Sequence, residues 1–213
     1  MPKQFGVPDE VIKAVVDRQE PLSAYSPYLS PIHGKHIIGV NAAFMLGRWI
    51  DILFFGDGGF YWNNKKAICE FPNLRVTCNP NINKRSGVYN VKHVPRDNNH
   101  PMGISTRPHR VSWNKNSGGA AINFAYHLGV KRIFLVGFDM KRAEDGIAEH
   151  WHSVYRKLES SRPLQHLPYK KHLPSFTPIA NDARRHGLEI INVGRESAIT
   201  VFKRVTLEEA LKL

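Results

Sequence analysis

The sequence predicts an α/β protein: a Rossmann-like, mostly parallel sheet with helices on both faces and an irregular lid. Three observations predict it. Short unbroken apolar runs at Ile37–Val40, Ile52–Phe55 and Ile133–Val136 read as parallel strands buried on both faces. Segments with apolar residues at three- and four-residue spacing lie between such runs and read as helices. Five strand candidates are followed within three residues by an Asn or Asp, namely Asn41, Asp57, Asn79, Asp139 and Asn192. In a parallel sheet these side chains share one edge, the edge at which open α/β sheets bind ligands.

Residues 1–35 read as an N-terminal extension and connector. Pro8–Glu20 fits one short amphipathic helix, and Pro21, Pro27 and Pro31 then favour extended chain. Residues 36–213 read as a single Rossmann-like domain. After the strand at Ile37–Val40, Ala42–Arg48 is a short helical crossover, Ile52–Phe55 the next strand, and a helix runs from about Phe60 to Phe71. Leu74–Cys78 is a third strand. Residues 81–115 lose periodicity and read as an irregular excursion with one or two edge strands, including Val88–Val94.

The segment N-S-G-G-A-A-I-N-F-A-Y-H-L-G, from Asn116, predicts a helix capped by Ser117. Ala121, Ile122, Ala125 and Leu128 would form its apolar stripe, and Gly129 would stop it in the left-handed conformation. Gly118 and Gly119 leave a bare backbone at its entrance, which with the helix dipole suits an anion. Residues 141–173 form the candidate lid. Ser175–His186 is helical up to Gly187, Leu188–Ile191 is a strand ended by Asn192, and Thr206 with Glu209 makes a capping box for a last helix, Leu207–Leu213.

Composition narrows the function. No apolar run reaches the ~20 residues of a membrane helix, so no membrane partner is expected. Two cysteines, Cys69 and Cys78, form no disulfide framework and no metal motif, as in a cytoplasmic protein with reduced thiols. The net charge is +12, and 25 of the 30 basic residues lie beyond residue 62 together with 12 of the 18 acidic ones. That excess favours an anionic partner: a nucleotide, a nucleotide-sugar, or a nucleic acid. Homo-oligomerisation is compatible with the sequence and not specified by it.

The chemistry-bearing candidates follow. Asn41, Asp57, Asp139 and Asn192, with Asn116, Ser117, Gly118 and Gly119, are candidate nucleotide contacts; each Asn or Asp also suits a simple capping role. His150 and His152, in the sequence H-W-H, are candidate bases, since a histidine near pKa 6.5 accepts a proton at neutral pH. They suit metal ligation or a solvated surface as well; no metal is assigned. His172 is a rival base, set beside Tyr169, Lys170 and Lys171. Tyr155 and Tyr169 are candidates to support a leaving phosphate. Neither phosphate-binding glycine fingerprint, G-x-x-x-x-G-K-[ST] or G-x-G-x-x-G, is present.

The runs G-V-N-A-A-F-M-L-G-R-W-I-D-I-L-F-F-G-D, N-S-G-G-A-A-I-N-F-A-Y-H-L-G-V-K-R-I-F-L-V-G-F-D-M, H-W-H and I-I-N-V-G-R-E-S-A-I together resemble phage and prophage proteins. These are related to the bacterial sialyltransferases of glycosyltransferase family 42 and to the DUF115, pterin pyrophosphokinase-like group. The likeness spans roughly residues 36–213. It implies a Rossmann-like sheet, a CMP-sugar-type donor as substrate with no further cofactor, and host cytoplasm as the compartment. It also implies Asn41 and Asp57 near the nucleotide, Ser117 and Gly118 at the donor's phosphate or ribose, and a lid histidine as base. His172 fits that base by spacing, while H-W-H is typical of the phage relatives. The relatives' N-terminal G-x-G-P-S-L loop is missing. Either catalysis has been lost, leaving a nucleotide or nucleic-acid binder, or phosphate binding has moved to basic residues.

Overall fold

In the computed structural model, residues 30–84, 91–141, 169–194 and 196–213 are described. Strands β1 (Ile38–Val40), β2 (Ile52–Phe55), β3 (Leu74–Thr77) and β4 (Val91–His93) form one ladder in the order β1-β2-β3-β4. Strands β5 (Arg132–Val136), β6 (Glu189–Val193) and β7 (Lys203–Val205) form a second. Every strand pairing in both ladders is parallel. The fold is thus the α/β, Rossmann-like class expected, with the sheet divided into two ladders.

Alternation along β2 explains its uninterrupted apolar sequence. Leu53 and Phe55 face Phe44, Tyr61, Ile68 and Phe71, whereas Phe54 faces Val76, Ala120, Ala121 and Phe124 on the other side. All three β2 side chains are fully buried, each contributing about 1.5–3 kcal/mol of apolar burial. Helix α4 (Ser117–His127) serves both ladders. Its Ala120, Ala121 and Phe124 pack on the first, with the Phe124 ring 5.5 Å from that of Phe54, and its Ile122 joins Leu135, Ile179 and Ile190 in the second core.

The remaining helices are short: α1 (Gly58–Asn63), α2 (Lys65–Glu70), α3 (Pro80–Lys84), α5 (Phe176–Arg185) and α6 (Leu207–Leu211). A helical turn at Ser30–His33 packs onto the domain through His33, whose ring stacks 4.6 Å from Trp49.

Several local expectations change. The crossover after β1 is a tight 3-10 turn, Asn41–Leu46, because Asn41 takes a left-handed φ of 52° and turns the chain at once. The helix expected over 60–71 is broken at Asn64, whose amide donates to the Phe60 carbonyl and so competes with the helical ladder. Asn192 does not end its strand; it lies inside β6, paired with Leu135 and Arg204, and is 1% exposed. Phe134 of β5 is 36% exposed rather than covered on both faces, since five-residue α6 covers little of that side of the second ladder. Leu128 is not part of an apolar stripe either: it is the exposed C-cap of α4, while every residue from Ser117 to Ala125 is buried.

Other local features follow the sequence. Gly129 and Gly187 adopt φ of 83° and 64° just past α4 and α5. The capping box of Thr206 and Glu209 is complete in both directions. Residues 1–29, 85–90 and most of the lid, 142–168, lie outside the described residues, as do the predicted Pro8–Glu20 helix, His150, His152 and Tyr155.

Candidate functional site

Gly56 is the centre of the carboxyl edge of the first ladder. Its N–H donates to Ser117 Oγ at 3.1 Å, at the start of α4. Its carbonyl accepts from Arg96 Nη2 at 2.8 Å and from Asn79 Nδ2 at 3.2 Å. A Cβ at residue 56 would lie 2.1 Å from Trp113 Cζ3 and 2.9 Å from Cys78 Sγ, so only glycine fits. The Arg96 guanidinium stands 3.8 Å over the Trp113 ring. One backbone position thus ties together β2, β3, the loop after β4, and α4.

Around this point lie unsatisfied polar atoms. Asn41 Oδ1, His93 Nε2 and Arg96 Nε are buried without a hydrogen-bond partner at or just beyond the ends of β1 and β4. Buried polar atoms are nearly always paired, so such a group calls for an explanation. Burial, and then the Arg96 charge, holds the His93 imidazole below its ordinary range and so neutral. Burial pushes the Cys78 thiol up, against the opposing pull of Arg96, and keeps it protonated.

The predicted nucleotide contacts divide into groups. Asp57 caps α1, accepting from Gly59 N at 2.7 Å, and its residue is exposed; Asn79 accepts similarly from Asn81 N. Asn41 makes no such cap bond and keeps its orphan oxygen. On the second ladder, Asn192 Nδ2 is also buried and unpaired, with Asn192 Oδ1 and Asp139 Oδ1 both close to Gly194.

At α4 the cap is Asn116 rather than Ser117: Asn116 Oδ1 accepts from Gly119 N at 2.6 Å. Ser117 is the first helical residue, which frees its hydroxyl for Gly56. The glycine entrance is not bare. A Cβ on Gly118 would meet Phe138 at 2.6 Å, and one on Gly119 would meet Asn114 at 2.6 Å, so these glycines admit the protein's own side chains.

The same cap reaches residues 172–175, at the end of the segment expected to be a lid. Asn116 Nδ2 donates to Ser175 Oγ at 2.9 Å, and Ser175 Oγ donates to the His172 carbonyl at 2.6 Å. His172 closes a helical turn, Tyr169–His172, and is half-buried. Burial, and secondarily the Lys171 charge, lowers its pKa, so the imidazole is a neutral base. The structure therefore brings Asn116, Ser117 and the His172 turn together, with Tyr169 one turn away.

The irregular 91–116 excursion is a cross-linked platform. Asn123, fully buried on α4, accepts from Ser105 N and Ser112 N at 2.9 and 2.7 Å and donates to Ser105 O at 3.0 Å. Buried Asp97 accepts from Ser105 Oγ at 2.6 Å and from Arg107 Nη1 at 3.3 Å; the serine bond is the main cause of its lowered pKa. Asp182 accepts from Ile104 N at 2.9 Å and faces His100 Nε2 at 3.3 Å. This platform sets Arg96 and Trp113 in place. Sequence reasoning missed His93 and Arg96 as site residues, because Arg96 acquires meaning only from Gly56, forty positions earlier.

A shallow depression of about 470 Å³ lies at the opposite edge of the first ladder, lined by Pro72, Asn73, Leu74, Arg75, Val91 and Lys92. It sits at the amino ends of β3 and β4, and one of its lining residues, Arg75, also has a buried Nε without a hydrogen-bond partner. Among the described residues no three His, Cys, Asp or Glu side chains gather as a metal site, and no helix is long and apolar enough to cross a membrane. No protein-family model, curated protein or solved structure matches the chain.

Proposed function

We propose that this is a nucleotide-binding protein of the phage type related to family 42 sialyltransferases, acting as a transferase on a CMP-sugar-type donor. The observation that carries the reading is the hydrogen-bonded path from His172 through Ser175 to Asn116, beside Ser117 and its bond to Gly56. It begins at the His172 backbone carbonyl, so it anchors the turn that carries this histidine to the start of α4 beside the carboxyl edge of a parallel sheet, where nucleotides bind in such folds. In this reading an acceptor hydroxyl attacks the sugar's anomeric carbon, and the bond to the phosphate oxygen breaks. CMP leaves with that electron pair, and His172 takes the hydroxyl proton. Tyr169 steadies the leaving phosphate and Asn41 reads the nucleoside. His150, His152 and Tyr155 remain alternative groups for the same roles.

A second reading, a binder without turnover, is favoured by the filled entrance at Gly118 and Gly119. The two part on one experiment. Protein purified without added ligand is analysed by mass spectrometry for retained nucleotide, then assayed for CMP release across nucleotide-sugar donors. Release that falls at least ~10²-fold in His172→Ala supports the transferase; binding with no release from any donor supports the binder.

A further inference from the structure

We propose that Arg96 and His93 form the phosphate-binding site of this chain. The inference rests on the nucleotide-binding reading and names the groups that hold the anion. Arg96 carries a permanent charge in a half-buried setting, yet no carboxylate pairs with it among the described residues. An unpaired charge in such a place is costly unless something neutralises it. Its guanidinium is held face-on against Trp113, by the bond from Nη2 to the Gly56 carbonyl and beside the Cys78 thiol, while buried Nε makes no hydrogen bond. The plane is thereby fixed before any ligand arrives, which suits the forked geometry with which arginine meets phosphate.

His93 ends β4 three residues earlier, and its Nε2 also lacks a partner. Both lie at the carboxyl end of β4, and the Arg96 charge adds to burial in lowering the His93 pKa. A phosphate brought against Arg96 would offset the smaller, charge-based part of this lowering and give His93 Nε2 a partner. The rival anion site, the amino end of α4, is already closed by its Asn116 cap and the Phe138 ring over Gly118. Of the two positive features at this edge, the arginine is the one with donors to spare.

The same chemistry belongs to a nucleotide's phosphate and to free inorganic phosphate, and the test separates them. Pyrophosphate, CMP and cytidine are titrated by calorimetry into the full chain and into its Arg96→Gln and His93→Gln variants. Trp113 emission serves as a local reporter, with Trp113→Phe as its control and circular dichroism checking the fold. Arg96→Lys is a second variant that keeps the charge but loses the fork. The expected result is that pyrophosphate and CMP bind, cytidine binds at least ~10-fold more weakly than CMP, and Arg96→Gln removes that advantage. His93→Gln weakens both anions less, and Arg96→Lys restores part of the affinity. If pyrophosphate binds through Arg96 and CMP gains nothing over it, the phosphate site stands and the nucleotide reading falls. If CMP and cytidine bind equally, or if folded Arg96→Gln keeps wild-type affinity for both anions, this inference is overturned while nucleoside recognition survives.

Discussion

Replacing Gly56 with alanine tests whether the site is assembled around that backbone position. The new methyl would start 2.1 Å from Trp113 Cζ3, 2.7 Å from Cη2 and 2.9 Å from Cys78 Sγ. Ordinary carbon contacts lie near ~3.5–4.0 Å, so the indole must retreat by more than an ångström. Its retreat breaks the Arg96 stack at 3.8 Å and disturbs the Arg96 bond to the Gly56 carbonyl. Overpacking alone costs about 1–3 kcal/mol, and losing the cation–π contact adds about 0.5–2. A total of about 1.5–5 kcal/mol follows, a large share of the ~5–15 kcal/mol that stabilises a typical protein. Urea unfolding of the full chain measures it. The decisive comparison is the same substitution in a Trp113→Leu background, where the space is open and the penalty should shrink to about 1 kcal/mol or less. An alanine variant within ~0.5 kcal/mol of wild type, or an equal penalty in both backgrounds, would refute the close packing argued for Gly56.

Other consequences are equally direct. Asn123→Leu strands Ser112 N and Ser105 O, while Ser105 N keeps its 3.1 Å bond to Ser112 Oγ, so it should destabilise by about 2–4 kcal/mol in urea unfolding. Stability should also depend on His93 and His172, whose folded pKa values lie below the ordinary 6.5. Below that value the unfolded chain binds protons that the folded chain refuses, so stability present above it is lost as pH falls through the folded values. The urea midpoint should therefore drop as pH falls through and below the ordinary value of 6.5, and drop less in a His93→Gln, His172→Gln double variant. The Asp97 contribution has the same sign in a lower window, fading only as pH falls past its unfolded value of 3.8. Ser175→Ala removes the link between Asn116 and the His172 turn, so amide exchange in residues 169–172 should quicken while α4 is unchanged.

The sequence alone determined the parallel strands, because a strand buried on both faces must be apolar at every position, as Leu53, Phe54 and Phe55 are. It determined the ends of α4 and α5 at Gly129 and Gly187, where φ is positive, and the capping box at Thr206, all through interactions a few residues long. It placed Asn41, Asp57, Asn79 and Asp139 beyond strand ends, since parallel strands share their direction. Tertiary structure decided which of them were consumed. Asp57 and Asn79 cap the helices that follow, whereas Asn41 keeps an unpaired oxygen. It also decided that Gly118 and Gly119 accommodate Phe138 and Asn114, and that Arg96, Trp113 and Ser117 meet at Gly56. Local periodicity and capping preferences act over one or two turns of chain. The Gly56 contacts join residues forty to sixty-one positions apart, and only packing of the two ladders against α4 brings those side chains within reach.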